Sequence, residues 1–293
     1  MFDISTIKSV LFQLLDALKH VHKHGFFHRD VKPENILVSK CRRPESIHSM
    51  FFVKLADFGL SREKSGNPPF TSYVSTRWYR SPEVILRANQ YGSPMDIWAF
   101  GAVAFEIATL RPLFPGNTEV DQMHKICEII GSPGMWITNA GRNIGGGDWR
   151  NGVAMAEQIG FQFPLLSPIW FDRYLSGSWA TSFSCFLQQC LTWDPSKRAT
   201  ASELYVNEFI ADAYDPLSSR RHTRRHIMSQ PNKSPKLESP RSAYMKLFRH
   251  SANGASKAVR DNQVNPLAAV DTVRPLLPLI RPTSPFSLDS LHC

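Results

Sequence analysis

Apolar residues return every three or four positions near the start of the chain, at Ile7, Val10, Leu11, Leu14, Leu15, Leu18 and Val21. That spacing predicts a helix over residues 1–24 with one buried stripe. Asp3 and Ser5 stand where an N-cap is needed, and Gly25 is placed to end the helix. Two short β-branched or aromatic runs, residues 36–38 and 51–56, predict strands, and the polar, basic stretch 40–50 between them reads as a solvent-exposed insertion. Residues 97–108 are apolar on every side except at Glu106, the pattern of a buried helix too short to cross a bilayer. Amphipathic spacing resumes over 120–130 and is ended by Gly131-Ser132-Pro133. Residues 132–180 are rich in Gly and Trp and weakly periodic, and 183–191 and 202–210 predict two closing helices. After Tyr214 the composition shifts to Ser, Pro and Arg until a Leu-Pro-rich stretch at 275–280, as expected of a disordered tail.

Charge follows the same division. Residues 215–293 hold thirteen Lys/Arg against five Asp/Glu, which is +8 of the chain's net +9, so the globular part is near neutral. Such a tail suits acidic partners, nucleic acid or import factors, or is merely solvated. Nothing in it specifies a nucleic-acid site. Arg220-Arg221-His222-Thr223-Arg224-Arg225 has the composition of a nuclear import signal. Cys41, Cys127, Cys185, Cys190 and Cys293 are odd in number and form no Cys-x-x-Cys pair, which reads as reduced thiols in the cytoplasm or nucleus rather than a disulfide or zinc framework. No signal peptide or membrane span is evident in the sequence.

The chemistry is concentrated in His28-Arg29-Asp30-Val31-Lys32-Pro33-Glu34-Asn35. Phosphoryl transfer needs a base, a cation and a metal ligand, and this loop supplies all three. Asp30 is placed to accept the proton of an attacking hydroxyl, Lys32 to neutralise charge on the transferred phosphate, and Asn35 to hold a magnesium ion. His28 would pack inward and Arg29 reach toward a phosphorylated loop. Asp57-Phe58-Gly59 follows the second strand, so Asp57 is positioned to bridge Mg²⁺ to the phosphates of ATP while Gly59 lets the chain turn.

This order of motifs resembles the eukaryotic protein kinases, and Lys32 resembles the Ser/Thr class. Tyr73-Val74-Ser75-Thr76-Arg77-Trp78-Tyr79-Arg80-Ser81-Pro82-Glu83, His24-Gly25-Phe26-Phe27-His28-Arg29-Asp30 and Leu110-Arg111-Pro112-Leu113-Phe114-Pro115-Gly116 narrow it. They resemble the male-germ-cell-associated and fungal meiosis-inducing kinases of the CMGC group, over roughly residues 1–211. Val31, Ser81 in place of the usual alanine, and the insertion depart from the pattern.

The resemblance implies an α+β, mainly helical fold, the C-terminal lobe of a kinase over residues 1–211 with short strands around the catalytic loop, followed by a basic Ser/Pro-rich disordered tail over 212–293. The expected activity is ATP- and Mg²⁺-dependent phosphorylation of Ser/Thr in protein substrates, in signalling of cell cycle, meiosis or differentiation. Leu37 would form the floor under adenine. Phe58 would sit beside the metal-binding aspartate, and Asp96 would cap the backbone around His28 and Arg29. Glu83 and Arg198 would form a buried ion pair. Thr71 and Tyr73 would be phosphoacceptors for an upstream activating kinase, read by Arg77 and Arg80; alternatively they are simply exposed loop residues. The Gly- and Trp-rich region is either a partner-docking insertion or an irregular cap. Arg281-Pro282-Thr283-Ser284 resembles the family's Arg-Pro-x-Ser/Thr preference and suggests an autophosphorylation site. No glycine-rich loop or strand lysine precedes the catalytic loop, so the chain reads as beginning halfway through the fold. Two expectations follow: a segment of a full kinase, or an inactive fragment serving as a binding module.

Overall fold

The structure, a computed structural model, describes residues 2–40, 51–63, 77–89, 91–137, 143–169, 171–211 and 274–275. Helix α1 spans Ile4–Lys23, and all seven positions of its predicted stripe are buried. Burying a side chain of this size contributes about 1.5–3 kcal/mol, several times the spread of propensity among ordinary residues, so packing sets this helix. Asp3 is its N-cap: the carboxylate accepts from the Thr6 backbone N–H at 2.8 Å. Hydrogen bonds from the Ser5 hydroxyl, then from the Thr6 N–H and hydroxyl, pull its pKa down to about 2. Ser5 is therefore a donor to the cap and not the cap itself. Gly25 leaves the helix at φ +83°, a left-handed conformation that costs glycine little.

The chain then forms β1 (Phe26–Phe27), β2 (Ile36–Lys40), β3 (Phe51–Leu55) and β4 (Arg62–Glu63). β1 pairs antiparallel with β4, Phe27 opposite Arg62, and β2 pairs antiparallel with β3 from Ile36↔Leu55 to Lys40↔Phe51. β3 packs on α1. Gln13 finishes its outer edge as a strand would, donating Nε2 to the Phe51 carbonyl at 3.1 Å and accepting the Val53 N–H on Oε1 at 2.9 Å. Of the expected insertion 40–50, Lys40 belongs to β2, paired with Phe51, and 41–50 lie outside the described residues.

Helices α2 (Pro82–Ile85), α3 (Pro94–Thr109) and α4 (Glu119–Ile130) follow. α3 is buried at every position from Met95 to Ala108, the apolar run 97–108 and with it Asp96 and Glu106. A Cβ on Gly101 would stand 2.6 Å from Cys190 Cβ, so glycine is what lets α3 and α6 (Ala180–Cys190) approach. The weakly periodic region contains the hairpin β5 (Gly134–Ile137) and β6 (Asn143–Gly147) and helix α5 (Arg150–Gln158). It joins the core through aromatic contacts: Trp149 stacks on Trp193 at 5.8 Å, and Trp193 stands 6.3 Å from Trp98 of α3. Such pairings between distant residues leave no periodicity to read.

The predicted helix over 202–210 is broken into α7 (Ala201–Tyr205) and α8 (Glu208–Ala211). Asn207 makes the break, its side-chain oxygen accepting the Phe209 N–H at 2.9 Å. Thr200 and Glu203 form a capping box at the start of α7. Of the tail, only Arg274 and Pro275 are described: they form strand β7, antiparallel to β2, with Leu37↔Pro275 and Val38↔Arg274. Among the described residues no helix is long and apolar enough to cross a membrane.

Candidate active site

The loop between β1 and β2 is fixed from the core. Asp96, in the first turn of α3 and 1% exposed, accepts the His28 N–H on Oδ2 at 2.7 Å and the Arg29 N–H on Oδ1 at 2.8 Å. His22, near the end of α1, places Nε2 2.8 Å from the same Oδ2. A buried carboxylate without such partners would be costly; here three donors surround it. They also hold Arg29 at φ +76°, which an L-residue avoids by roughly 1–2 kcal/mol.

His28 is fully buried. Its Nε2 is 2.9 Å from the Ala56 carbonyl, while Nδ1 accepts the Asp30 N–H at 3.3 Å, so the proton belongs on Nε2. Burial holds its pKa below the ordinary histidine value against the raising influence of Asp96. The ring is neutral and lies edge-on to Phe58 at 4.8 Å. Arg29 donates to the Tyr91 hydroxyl at 2.8 Å and the Leu60 carbonyl at 3.3 Å.

Asp30 is the centre of the loop. Its Oδ2 accepts from Lys32 Nζ at 2.7 Å and from Asn35 Nδ2 at 2.9 Å. Asn35 Nδ2 also donates to the Asp30 carbonyl at 2.8 Å. With its nitrogen committed in this way, the Asn35 amide presents Oδ1 as the atom left for a cation. A 3₁₀ turn, Pro33–Asn35, delivers the chain into β2, and the Asn35 carbonyl accepts the Ala56 N–H at 2.8 Å. That bond ties the loop to the residue preceding Asp57. Asp57 is exposed and left-handed at φ +61°, with Oδ1 3.3 Å from the Gly59 N–H. An added Cβ on Gly59 would meet Asp57 Oδ1 at 3.2 Å, so glycine keeps this turn uncrowded. Among the described residues no group of three or more His, Cys, Asp or Glu forms a metal cage. One amide oxygen and one carboxylate suit Mg²⁺, which completes its shell with water and phosphate oxygens. Leu37 is half-buried on β2; Ile36 and Val38, pointing to the other face, are buried in the core.

The residues expected to be structural lie as follows. Arg198 forms a two-pronged pair with Glu83, at 2.8 Å to Oε1 and 3.0 Å to Oε2, and both side chains are buried. It further donates to the carbonyls of Thr192 and Pro94 and lies over the Trp98 ring. Arg80 stands 3.9 Å from Glu119, and the buried Arg77 Nε has no hydrogen-bond partner among the described residues. Thr71 and Tyr73 lie outside the described residues. Sequence reasoning missed His22, Tyr91 and Gln13. For His22 a signal existed, because position 22 continues the α1 stripe from Leu18; Tyr91 and Gln13 carry none.

Comparison with known proteins gives the family. The protein kinase domain family matches residues 1–210. The chain is 44% identical to the serine/threonine-protein kinase MAK of Rattus norvegicus over 203 residues, 69% of this chain and 29% of that protein. It is 43% identical to the meiosis induction protein kinase IME2/SME1 of Saccharomyces cerevisiae over 216 residues, 69% and 34%. With the sporulation protein kinase mde3 of Schizosaccharomyces pombe it shares 40% over 201 residues, 69% and 35%. The chain thus spans about a third of the length of these relatives. Its catalytic-loop pattern, its Asp-Phe-Gly turn and these identities agree: the chain belongs to the protein kinase family, among the Ser/Thr kinases of the CMGC group.

Proposed function

We propose that this chain contributes the C-terminal lobe of a serine/threonine kinase that transfers the γ-phosphoryl group of ATP to Ser/Thr hydroxyls of protein substrates. The observation that supports it most is the Asp30 carboxylate, held by Lys32 and Asn35 at the centre of the loop. Asp30 takes the proton as the hydroxyl oxygen attacks phosphorus and the bond to ADP breaks. Lys32, already within 2.7 Å of Asp30, neutralises charge on the transferred group. Asn35 and Asp57 would hold Mg²⁺, which when bound supplies charge stabilisation to the phosphates. Leu37 would lie under the adenine. His28, neutral and buried, does no proton transfer; it fixes the loop to Ala56. Phosphorylation at Thr71 or Tyr73 by an upstream kinase would be read by Arg77 and Arg80, the Arg77 Nε having no partner among the described residues.

The test is phosphate transfer from Mg·ATP to an Arg-Pro-x-Ser peptide by the protein and by Asp30→Asn. Removing the base should slow transfer by about 10²–10⁴-fold. Parent activity that Asp30→Asn leaves unchanged would refute the assignment, and a parent that transfers no phosphate would favour the binding-module reading.

A further inference from the structure

The β2–β3 pair would have two open edges, and an unpaired strand edge presents a row of backbone donors and acceptors to any extended chain. The β3 edge is finished by Gln13. The β2 edge is occupied by the chain's own tail: Arg274 lies opposite Val38 and Pro275 opposite Leu37, antiparallel, and the same strand packs on the Pro33–Asn35 turn. We propose that the β2 edge, beside Leu37 and Asn35, is a strand-addition site whose occupant is the C-terminal segment of this same chain around Arg274–Pro275.

Three observations carry this. β7 lies between Val270 and Val273 on one side and the Leu-Pro-rich stretch 275–280 on the other, so it sits in the more apolar part of a tail whose earlier residues are rich in Ser, Pro and Arg. Proline suits the role, because it tolerates only an edge position in a sheet. With Pro275 in β7, the added strand ends the sheet without offering a continuous template for another copy. Tethering favours the intramolecular partner: residues 212–273 link the lobe to the strand, and closure cost grows only logarithmically with tether length. The local concentration of the segment therefore stays well above that of a second molecule in dilute solution. This is backbone recognition of the kind that peptides use when they extend a sheet, here turned on the chain itself. It makes the tail part of the platform carrying Leu37 and Asn35, and this docking does not depend on whether the protein transfers phosphate.

The test uses the full chain with Leu37→Cys and Pro275→Cys. Directly opposed strand residues lie at a separation a disulfide can bridge. After mild oxidation, peptide mapping should find an intramolecular 37–275 bond at least ten-fold more abundant than a 37–281 bond in a Leu37→Cys, Arg281→Cys control. Equal yields would mean that the tether alone brings the tail near, and linkage between two copies would mean a different occupant; either overturns the proposal. Hydrogen exchange gives an independent reading without touching the lobe. Arg274→Gly with Pro275→Gly should raise exchange at β2 amides at least five-fold while α1 and α3 stay unchanged. Unchanged β2 exchange would also overturn it.

Discussion

Arg198→Ala is the most searching single perturbation of the lobe. Arg198 is 5% exposed and Glu83 3%, and the guanidinium makes five hydrogen bonds: two to Glu83 and one each to the carbonyls of Thr192, Pro94 and Trp193. Truncation leaves the Glu83 carboxylate in the core without its counter-charge. Breaking a buried pair from one side costs about 3–5 kcal/mol, most of it the desolvated charge that remains. For a domain of this size each kcal/mol lowers the melting midpoint by about 2–4 °C, so the expected fall is roughly 6–20 °C. Chemical denaturation checks the free energy and differential scanning fluorimetry the midpoint. Two further variants separate charge from shape. Arg198→Lys keeps the charge but loses the fork and should fall between parent and alanine variant. Arg198→Met with Glu83→Leu removes both charges and should recover most of the loss. If Arg198→Ala costs under 1 kcal/mol, or the double variant is simply additive, the pair is not what holds α2 to the segment carrying Arg198.

Two other outcomes follow from the same structure. Ser81 is 1% exposed and its hydroxyl has no hydrogen-bond partner among the described residues; Ser81→Ala should stabilise the protein by about 1 kcal/mol in urea denaturation, and a loss of stability would show that the hydroxyl is satisfied. His28 has a folded-state pKa below the ordinary value because of burial. The unfolded chain therefore binds the proton first, and the stability of the neutral ring, present above the unfolded pKa, is lost as pH falls through the folded pKa. The slope for one proton is at most about 1.4 kcal/mol per pH unit. Against His28→Gln, the parent should lose stability progressively below about pH 6.5; a difference that stays flat with pH would refute the neutral, buried assignment.

What was legible in the sequence was whatever a short window contains. The α1 stripe is buried residue for residue because a 3.6-residue period reports one face, and α3 is buried all round because its apolar run has no polar face. The catalytic loop was readable because His28, Asp30, Lys32 and Asn35 fall within eight positions, as was the Glu83–Arg198 pair through resemblance. What escaped was long-range satisfaction of polar groups. Gln13 completes a strand edge 38 positions away, His22 reaches Asp96 across 74, and Trp149 finds Trp193. Gln13 and the Trp149–Trp193 pair leave no period or motif, and His22 leaves only its place on the α1 stripe, which does not name its partner. The break at Asn207 was a different failure: a cap signal lay inside an apolar pattern, and the pattern prevailed in the reading.

The long-range contacts are also what give the loop its shape. The catalytic segment makes its own short bonds between Asp30, Lys32 and Asn35, but the left-handed Arg29 beside them is unfavourable and is imposed by Asp96. Asp96 sits in the first turn of α3, where a carboxylate is also favoured by the exposed N–H groups of the helix end. Two residues earlier, the Pro94 carbonyl accepts from Arg198 at 2.8 Å. The chain of contacts therefore runs from Glu83 through Arg198 to the start of α3, then through Asp96 to the backbone of His28 and Arg29, and so to Asp30. Each link is a buried, charge-assisted or fully partnered bond. The Glu83–Arg198 pair and the Asp30 loop therefore belong to one chain of contacts, and loosening Arg198 should disturb the position of Asp30 before it unfolds the domain.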